Sequence, residues 1–492
     1  MNVLLIYPKF PDTFWSFTYA LRFIGKKAAF PPLGLLTVAS LLPTTWSKRL
    51  VDVNVDCLTD KDFSWADMVF IGGMAIQRES AKQIIARCKV SNLKVVAGGP
   101  LFTAEPDKFG EVDHLVLDEA ELTLPVFLSD LQNGQLKRVY QASGFCDLSH
   151  TPPPSWDLLK MKRYASMNIQ FSRGCPFNCE FCNVTSLFGH RPRIKTPPQV
   201  IAELDRIYHS GWRSSIFFVD DNFIGNKRYL KTHLLPALIE WRKDKKGCVF
   251  FTEASINLAD DPELLDMMVR AGFDSVFIGI ESPDEVSLTE CHKTQNKNRD
   301  LLESVAIIHR SGLRVMGGFI VGFDNDKPSI FQRQIDFIQK SGIVTAMVGM
   351  LQAPPGTRLF DRLQRESRII STFSGDNVDG TTNIIPQMGI DSLSAGYRSI
   401  MKQIYSPKNY YRRVRTLLKQ LKTPDINEPL NIQRFLSIFR SAFWLGVLGK
   451  ERFHYWQLIL WTLICKPKLI SMAITLSIQG YHYRRICEIY IY

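Results

Sequence analysis

Short apolar runs alternate with longer amphipathic stretches along the first 140 residues. Each run is followed by enough chain for a crossover helix such as Arg78–Lys89. Near-continuous apolar strands with this spacing are typical of a parallel sheet that is covered on both faces. The pattern therefore predicts a doubly wound, Rossmann-like α/β domain over residues 1–140. Its predicted strands are Val3–Tyr7, Leu50–Asp56, Met68–Gly72, Leu93–Ala97 and His114–Leu117.

A proline run at Pro152–Pro154 interrupts this pattern and predicts a connector over residues 141–165, because consecutive prolines resist both helix and sheet. Beyond it, six further apolar runs alternate with helical stretches such as Pro198–His209, Pro262–Ala271 and Lys297–Ser311. Six consecutive βα units predict a partial (βα)6 barrel over residues 166–370, with its chemistry at the carboxyl ends of the strands. These strands are Ile169–Ser172, Ser215–Val219, Val249–Glu253, Ser275–Ile280, Arg314–Val321 and Ala346–Leu351.

The composition is that of a folded protein, and its charge is unevenly placed. Of the 492 residues, 45% are hydrophobic and 22% are charged, which excludes the disordered and collagenous classes. Ten cysteines are too few for a secreted disulfide scaffold, and three of them crowd together. This usage favours a reducing, cytoplasmic compartment. Lys and Arg number 60 against 48 Asp and Glu, so the chain carries a net charge of +12.

Residues 371–492 are predicted to be mainly helical, and much of the basic surplus lies there. Two apolar stretches are separated by Lys466-Pro467-Lys468, and neither is long enough to span a bilayer. One interpretation is an interfacial helix in peripheral contact with the inner face of a membrane. The other, which we favour, is a helical cap on the barrel, and no nucleic-acid module accompanies the charge. The basic residues in question are Arg412, Arg413, Arg415, Lys419 and Lys422.

The cysteine cluster carries most of the chemical information. Cys175, Cys179 and Cys182 form a C-x3-C-x2-C motif directly after the first strand of the second unit. A structural zinc site needs a fourth ligand, and only His190 lies nearby. A [4Fe–4S] cluster fits better, since three thiolates leave one iron open to another ligand. Simple buried thiols are the remaining alternative.

This loop, with Phe181 before its last cysteine, resembles the cluster loop of radical S-adenosylmethionine enzymes. The resemblance implies that the amino and carboxylate groups of S-adenosylmethionine chelate the open iron. It also implies that one electron cleaves this cosubstrate to methionine and a 5′-deoxyadenosyl radical. An electron donor such as flavodoxin or ferredoxin is implied as a partner.

Further residues at successive strand ends follow the order of the same family. Where the family has a Gly-Gly-Glu-like loop that receives the amino group, this chain has Asp220-Asp221-Asn222, so the choice between the two carboxylates stays open. The later positions resemble those that contact the ribose, carboxylate and adenine. The implied contacts of S-adenosylmethionine are thus Phe181, Asp220, Asp221, Asn222, Glu253, Ser255, Glu281 and Gly318.

The N-terminal unit resembles the cobalamin-binding domain of the B12-dependent subfamily. Glycines at predicted strand ends would let a flat ligand approach the backbone, although glycine pairs also make ordinary turns. The Asp-x-His-x-x-Gly motif is absent, because His114 directly follows Asp113. The resemblance therefore implies base-off cobalamin without a histidine ligand. The implied cobalamin contacts are Gly72, Gly73, Met74, Gly98, Gly99 and Glu119.

The C-terminal region resembles that of a subgroup that includes hopanoid C-2 methylases. Taken together, the resemblances imply a cobalamin-dependent radical S-adenosylmethionine enzyme that methylates an unactivated carbon of a lipid or secondary metabolite. One alternative is a cyclase or rearrangement enzyme with the same cofactors and no methyl transfer. Another, from a different class, is a non-catalytic iron–sulfur or B12 sensor.

Overall fold

The computed structural model describes residues 1–376, 378–422 and 432–491. The N-terminal unit is a six-stranded, fully parallel sheet of order β2-β1-β3-β4-β5-β6. Separate apolar clusters cover its two faces, as predicted for a doubly wound domain. The strands are β1 Asn2–Tyr7, β2 Ser47–Asp52, β3 Met68–Gly72, β4 Lys94–Gly98, β5 His114–Val116 and β6 Val139–Tyr140. The helices are α1 Thr18–Ile24, α2 Leu33–Leu41, α3 Asp60–Trp65, α4 Arg78–Val90, α5 Pro100–Ala104 and α6 Ala120–Gln132.

Two strand predictions in this unit need correction. The second strand ends at Asp52 rather than at Asp56, because the Asp52 carboxylate accepts a hydrogen bond from the Asn54 amide (2.9 Å) and turns the chain there. The two-residue strand β6 was missed because two residues are too few for a periodic signal.

The proline-containing connector is folded rather than extended. It contains short 3₁₀ turns at Leu148–His150, Trp156–Leu158 and Met161–Arg163. The hydroxyl of Tyr164 donates to the carboxylate of buried Asp52 (2.8 Å). The connector therefore packs against the first domain.

The second unit is a six-stranded parallel sheet in sequential order, β7-β10-β11-β12-β13-β14, which confirms the partial barrel. Its strands are β7 Met167–Ile169, β10 Ser215–Phe218, β11 Val249–Glu253, β12 Phe273–Glu281, β13 Arg314–Val321 and β14 Ala346–Met350. A small antiparallel ribbon joins β8 Ser172–Arg173 and β9 Arg193–Ile194. The helices are α7 Val184–Phe188, α8 Pro197–His209, α9 Lys227–Tyr229, α10 Leu235–Asp244, α11 Pro262–Ala271, α12 Glu285–Glu290, α13 Leu301–Ser311, α14 Ser329–Ser341 and α15 Arg358–Arg365.

Two boundaries in the barrel differ from prediction by three or more residues, for local reasons. The first strand ends at Ile169, because Ser172 and Arg173 leave the main sheet to pair with β9. Helix α13 begins at Leu301 rather than at Lys297, because the Asp300 side chain caps it by accepting from the Glu303 amide (3.1 Å).

Residues 13–31 bridge the open side of the barrel between its first and last strands. At the β7 side, the Asn168 amide donates to the Pro31 carbonyl (3.1 Å). At the β14 side, the Trp15 indole N–H approaches the Met347 sulfur (2.9 Å). This segment, which the sequence pattern assigned to the first domain, therefore closes the second.

The C-terminal region is helical, as predicted. Arg413 was expected among its surface charges, but it is buried and donates to Gln339 (2.6 Å) and to the Ile404 carbonyl (2.8 Å). Within the described ranges, no helix combines the length and the apolar character needed to cross a bilayer. The helices are α16 Ile390–Ile404, α17 Pro407–Gln420, α18 Ile432–Gly446, α19 Arg452–Cys465 and α20 Ile470–Tyr490.

Candidate active site

The carboxyl edges of the two parallel sheets face each other. After β5, Glu119 and Glu121 meet Arg173, which directly precedes the cysteine loop, at 3.0 and 2.8 Å. Arg193 on β9 adds a second contact with Glu119 at 2.8 Å. Ligands of open α/β sheets bind beyond the carboxyl ends of the strands, so this arrangement brings both predicted binding edges into one region.

Glu119 is part of this ion-pair network, which alters its expected role. Its side chain is buried, and its carboxylate also accepts from the Cys146 amide (2.7 Å). Burial raises the pKa of Glu119, but hydrogen bonds from Arg193 and Cys146 and the charge of Arg173 outweigh that effect and leave the pKa below its ordinary value. The carboxylate therefore holds the domains together, which does not support the expected contact with cobalamin.

The glycines at the edge of the first sheet fall into two groups. A Cβ on Gly98 would lie 2.5 Å from the Val116 carbonyl oxygen, and one on Gly72 would lie 3.0 Å from the Leu35 side chain. These two glycines therefore serve the packing of the sheet. Half-exposed Met74 and partly exposed Gly99, at a positive φ of 87°, remain as the open part of the edge, with buried Gly73 beside them. They could accommodate a flat ligand.

His114 lies on β5, away from that open edge. It is buried, and its Nδ1 is 2.7 Å from the Lys137 carbonyl oxygen. This environment agrees with its interpretation as an ordinary strand residue.

The cysteine loop presents three free, partly exposed thiols. Gly174 starts the loop at a φ of 98°, where a Cβ would meet the Arg191 carbonyl oxygen at 2.8 Å, so only glycine fits. Burial raises the pKa of Cys175, and raises that of Cys182 to about 12. Without a metal these two thiols therefore stay protonated at neutral pH, and metal binding would release their protons.

Two side-chain amides approach the sulfur atoms of this loop. The Asn222 amide nitrogen lies 4.0 Å from Cys175 Sγ, and the Gln295 amide nitrogen lies 3.7 Å from Cys179 Sγ. Hydrogen bonds to sulfur are among the factors that tune iron–sulfur clusters, so this donor set fits such a group. In the part of the chain that the structure describes, no three His, Cys, Asp or Glu side chains are arranged to hold a single metal ion.

The structure distinguishes the two aspartates that the sequence left as alternatives. Asp220 is fully buried, and its carboxylate accepts from the Phe171 amide (3.1 Å) and from both the amide and the hydroxyl of Ser172. Asp221 is only partly buried and lies beside Gly174, whose amide lowers its pKa while burial raises it more, to about 6. Asp220 thus fixes the first loop, and Asp221 is the carboxylate beside the thiols.

The end of the third strand adds a carboxylate and a hydroxyl. Burial, followed by the charges of Asp221 and Asp220, raises the pKa of Glu253 to about 8. The Ser255 hydroxyl lies 3.3 Å from the Asn222 side-chain oxygen and 2.7 Å from that of Asn257. The Asn222 and Ser255 side chains therefore connect the residues after β10 with those after β11.

At the end of the fourth strand, Glu281 forms a nearly buried ion pair with Lys293 (2.7 Å). Burial lowers the pKa of Lys293, but Glu281 and the nearby Cys179 and Cys182 raise it above its ordinary value. Gly279 leaves room for this pair, since a Cβ there would lie 2.2 Å from the Glu281 carboxylate and 2.8 Å from the Lys293 ammonium. Sequence reasoning missed Lys293 and Gln295, because they follow a short helix and belong to no strand-end motif.

Gly318 and Phe181 lie at the margins of this group. A Cβ on Gly318 would lie 2.9 Å from the Phe277 ring, so the glycine leaves space for that ring inside the barrel. The Lys293 ammonium lies 6.0 Å from the centre of the Phe181 ring, which also packs near Phe323.

Several aromatic side chains contact one another in the barrel interior. Phe217 and Phe251 stack at 4.6 Å, and Phe30 of the closing segment lies 5.5 Å from Phe217. Trp15 meets Phe277 edge to face at 5.5 Å. The interior beneath the thiol loop is therefore an apolar, aromatic environment.

Comparison with known proteins identifies the group to which this arrangement belongs. Residues 169–338 match the Radical SAM superfamily model, and residues 357–491 match a domain of unknown function, DUF4070. An uncharacterised methyltransferase of Synechocystis is 41% identical, with 99% of this chain and 92% of the relative covered. A hopanoid C-2 methylase of Rhodopseudomonas palustris is 36% identical, with 94% of this chain and 89% of the relative covered.

The chain belongs to the radical S-adenosylmethionine superfamily. As a member of that superfamily it is an enzyme, and S-adenosylmethionine and a [4Fe–4S] cluster are its cofactors, as expected. The solved structure of the cobalamin-dependent S-adenosylmethionine radical enzyme OxsB superposes with a TM-score of 0.62 at 15% identity, covering 99% of this chain and 84% of that one. This likeness confirms the fold of this radical S-adenosylmethionine enzyme. Residues 1–168 lie outside both family matches.

Proposed function

We propose that this enzyme methylates an unactivated carbon with the help of cobalamin. The observation that carries the proposal is the juxtaposition of the thiol loop with the sheet edge that holds Gly73, Met74 and Gly99, through the contacts of Arg173 and Arg193 with Glu119. Two relatives that align over nearly the whole chain are named as methyltransferases. The structurally similar OxsB was solved with aqua-cobalamin bound.

In this proposal, Cys175, Cys179 and Cys182 hold the cluster. Their thiols are free, and the Asn222 and Gln295 amides are placed to donate to two of the sulfurs. Such donors stabilise negative charge on sulfur and so affect the ease of reduction. When bound, the reduced cluster supplies the electron that cleaves S-adenosylmethionine, and cobalamin supplies the methyl group.

The acidic residues orient S-adenosylmethionine. Asp221 and Glu253 offer carboxylates to its ammonium group, which would lower the pKa of both by stabilising the ionised form. Lys293, held by Glu281, places a positive charge where the carboxylate of the cosubstrate could reach it. Asp220 keeps its positioning role. The remaining proposed contacts are Phe181, Asn222, Ser255 and Gly318.

Residues 1–140 act as the cobalamin-binding domain in this proposal, joined by residues 141–165 to a catalytic barrel over residues 166–370. Met74 and Gly99, with buried Gly73 beside them, form the edge for the flat ring system, and Gly72 and Gly98 pack within the sheet. No histidine ligand is assigned, since His114 is held within the first domain. The closing segment 13–31 shields the interior from water, which protects a radical from side reactions.

The aromatic interior favours an apolar substrate, such as a lipid or an apolar secondary metabolite. A one-electron donor of the flavodoxin or ferredoxin type completes the reaction. Peripheral contact of residues 371–492 with a membrane belongs to the same proposal, because a lipid substrate resides in the membrane.

The test is anaerobic reconstitution of the full chain with iron, sulfide and cobalamin. We expect reductive formation of 5′-deoxyadenosine and, with a lipid extract from a strain lacking the gene, a product heavier by one methylene unit. Cys179→Ala should abolish cluster absorbance and deoxyadenosine, whereas the matched control Cys57→Ala, an exposed cysteine of the first domain, should retain both. A product of unchanged carbon count would overturn methyl transfer in favour of cyclisation or rearrangement.

A further inference from the structure

Helices α18 and α19 expose an unusual amount of apolar surface. The two helices pack against each other, and the Trp456 indole N–H donates to the Gly446 carbonyl between them (2.9 Å). Among the exposed side chains, Phe453 is 75% and Ile464 is 81% accessible. Large contiguous apolar patches of this kind mark interaction sites. The face is formed by Phe439, Phe443, Trp444, Phe453, Leu460 and Ile464.

The segment of the chain that carries this apolar face has an excess of basic residues. From Ile432 to Leu469 the sequence holds six lysines and arginines and a single acidic residue, Glu451. Glu451 is buried and paired with Arg484, so it adds no exposed negative charge to the face. A partner that covers this face must therefore be apolar in part and anionic in part.

A basic cleft of about 460 Å³ lies between α17 and α19. Lys408, Arg412, Arg415 and Lys419 line it from α17, and none of its described lining residues carries a carboxylate. Arg415 also lies over the Trp461 ring, at 4.9 Å from its centre. Along α19, His454 and Gln457 border the cleft, while Phe453, Leu460 and Ile464 belong to the apolar face. Cleft and face are thus neighbouring sides of one helix.

We propose that α17, α18 and α19 dock the enzyme on the surface of an anionic phospholipid bilayer. The apolar side chains enter the interface between headgroups and acyl chains, and the cleft takes a lipid phosphate. Tryptophans such as Trp444 and Trp456 suit that interfacial depth. A second copy of this chain fits less well, because a two-fold contact through this face would oppose one basic surface to another.

Docking on this face also places the bilayer near the segment 13–31 that closes the barrel. Helix α1 lies in the segment that closes the barrel, and it packs against α18 and α20. The Arg440 guanidinium donates to the Phe23 carbonyl in α1 (3.0 Å). The reason for membrane docking rests on the proposed lipid methylation, whereas the docking surface itself is argued from the apolar face and the basic cleft alone.

The experiment is flotation of the purified full-length protein with phosphatidylcholine vesicles, with and without phosphatidylglycerol. We expect the protein to float with the anionic vesicles at low salt and to dissociate at high salt. Lys408→Gln, Arg412→Gln and Lys419→Gln together should weaken binding about 100-fold, since each cation near an anionic surface contributes about fivefold. The control with equal charge loss is Lys61→Gln, Lys246→Gln and Lys327→Gln, three exposed lysines outside the region.

A second pair of variants tests the apolar face. Phe453→Ser with Ile464→Ser should weaken flotation at least about tenfold, because it removes two side chains that would be buried in the interface. Val90→Ser with Val286→Ser, which changes exposed residues elsewhere, should float like the wild type.

Flotation equal to wild type for both test variants would overturn the inference, as would failure of the wild type to float. A concentration-dependent dimer in sedimentation velocity that the Phe453 and Ile464 changes abolish would overturn it in favour of a second copy. Because flotation uses neither S-adenosylmethionine nor substrate, its failure is separable from failure of the proposed methylation.

Discussion

Replacing Glu119 by glutamine should destabilise the protein even when cobalamin is absent. The Glu119 carboxylate accepts from Arg193 at 2.8 Å through both oxygens, from Arg173 at 3.0 Å and from the Cys146 amide at 2.7 Å. Glutamine keeps the shape but removes the carboxylate that neutralises Arg193, while Arg173 keeps its contact with Glu121. Breaking one partner of a buried ion pair costs about 3–5 kcal/mol, because the other charge is left uncompensated.

The assay is thermal denaturation of the cofactor-free protein, followed by far-UV circular dichroism. We expect the transition of Glu119→Gln to fall by about 5 °C or more, given a loss of that size. Glu111→Gln changes an exposed glutamate of the same domain and should leave the transition unchanged.

The pH dependence provides a second check on the same variant. Because the pKa of Glu119 is lowered in the folded protein, its stabilisation is present above the ordinary value of 4.5 and is lost as the pH falls through the lowered pKa. The difference between Glu119→Gln and wild type should therefore shrink in acid. A variant with wild-type stability and only weakened cobalamin binding would refute this reasoning and restore Glu119 as a ligand contact.

Three further predictions concern the charged residues near the cysteine loop. Asp221→Asn should weaken S-adenosylmethionine binding at least about tenfold in equilibrium titration of the reconstituted enzyme, whereas Asp220→Asn should mainly lower thermal stability. Weaker binding in Asp220→Asn together with lower stability in Asp221→Asn would exchange the two roles. Lys293→Gln leaves Glu281 in a nearly buried site without its ion-pair partner. The free energy of unfolding, measured by urea denaturation, should therefore fall by about 3–5 kcal/mol. An unchanged midpoint and slope would contradict the pairing. The pKa of Glu253 is raised from 4.5 to about 8, so the cofactor-free native state keeps a proton that the unfolded chain loses in this pH range. The stability of the folded protein should therefore decline as the pH rises from 4.5 to about 8. Glu253→Gln should flatten that decline in thermal denaturation, and parallel curves for variant and wild type would argue against it.

The sequence was sufficient to predict both parallel sheets, because their strands are long enough to show continuous apolar patterns. Met68–Gly72, Val249–Glu253 and Arg314–Val321 begin and end where the pattern predicts. Predictions failed where side chains decide the local path, as at Asp52, which ends β2, and at Ser172, which leaves the main sheet. Neither the side-chain hydrogen bond of Asp52 nor the pairing of Ser172 with β9 changes the apolar periodicity, so that pattern does not reveal them.

The sequence allowed prediction only of those site residues that lie on a predicted strand or in the loop directly after it. The cysteine loop was predicted from its C-x3-C-x2-C spacing, and the carboxylates were predicted because they follow successive strands of the barrel. The choice between Asp220 and Asp221 depended on which carboxylate was already hydrogen-bonded. Lys293 and Gln295 were missed because the chain brings them to the thiols from beyond α12, and proximity of that kind is visible only after folding.

The most direct test of the account is Mössbauer spectroscopy with iron and sulfide analysis on the anaerobically reconstituted full chain, before and after addition of S-adenosylmethionine. We predict a [4Fe–4S] cluster in which one iron changes its signal when the cosubstrate binds, because Cys175, Cys179 and Cys182 leave that iron without a protein thiolate. Zinc in place of iron, a lack of inorganic sulfide, or a spectrum that the cosubstrate does not alter would contradict it.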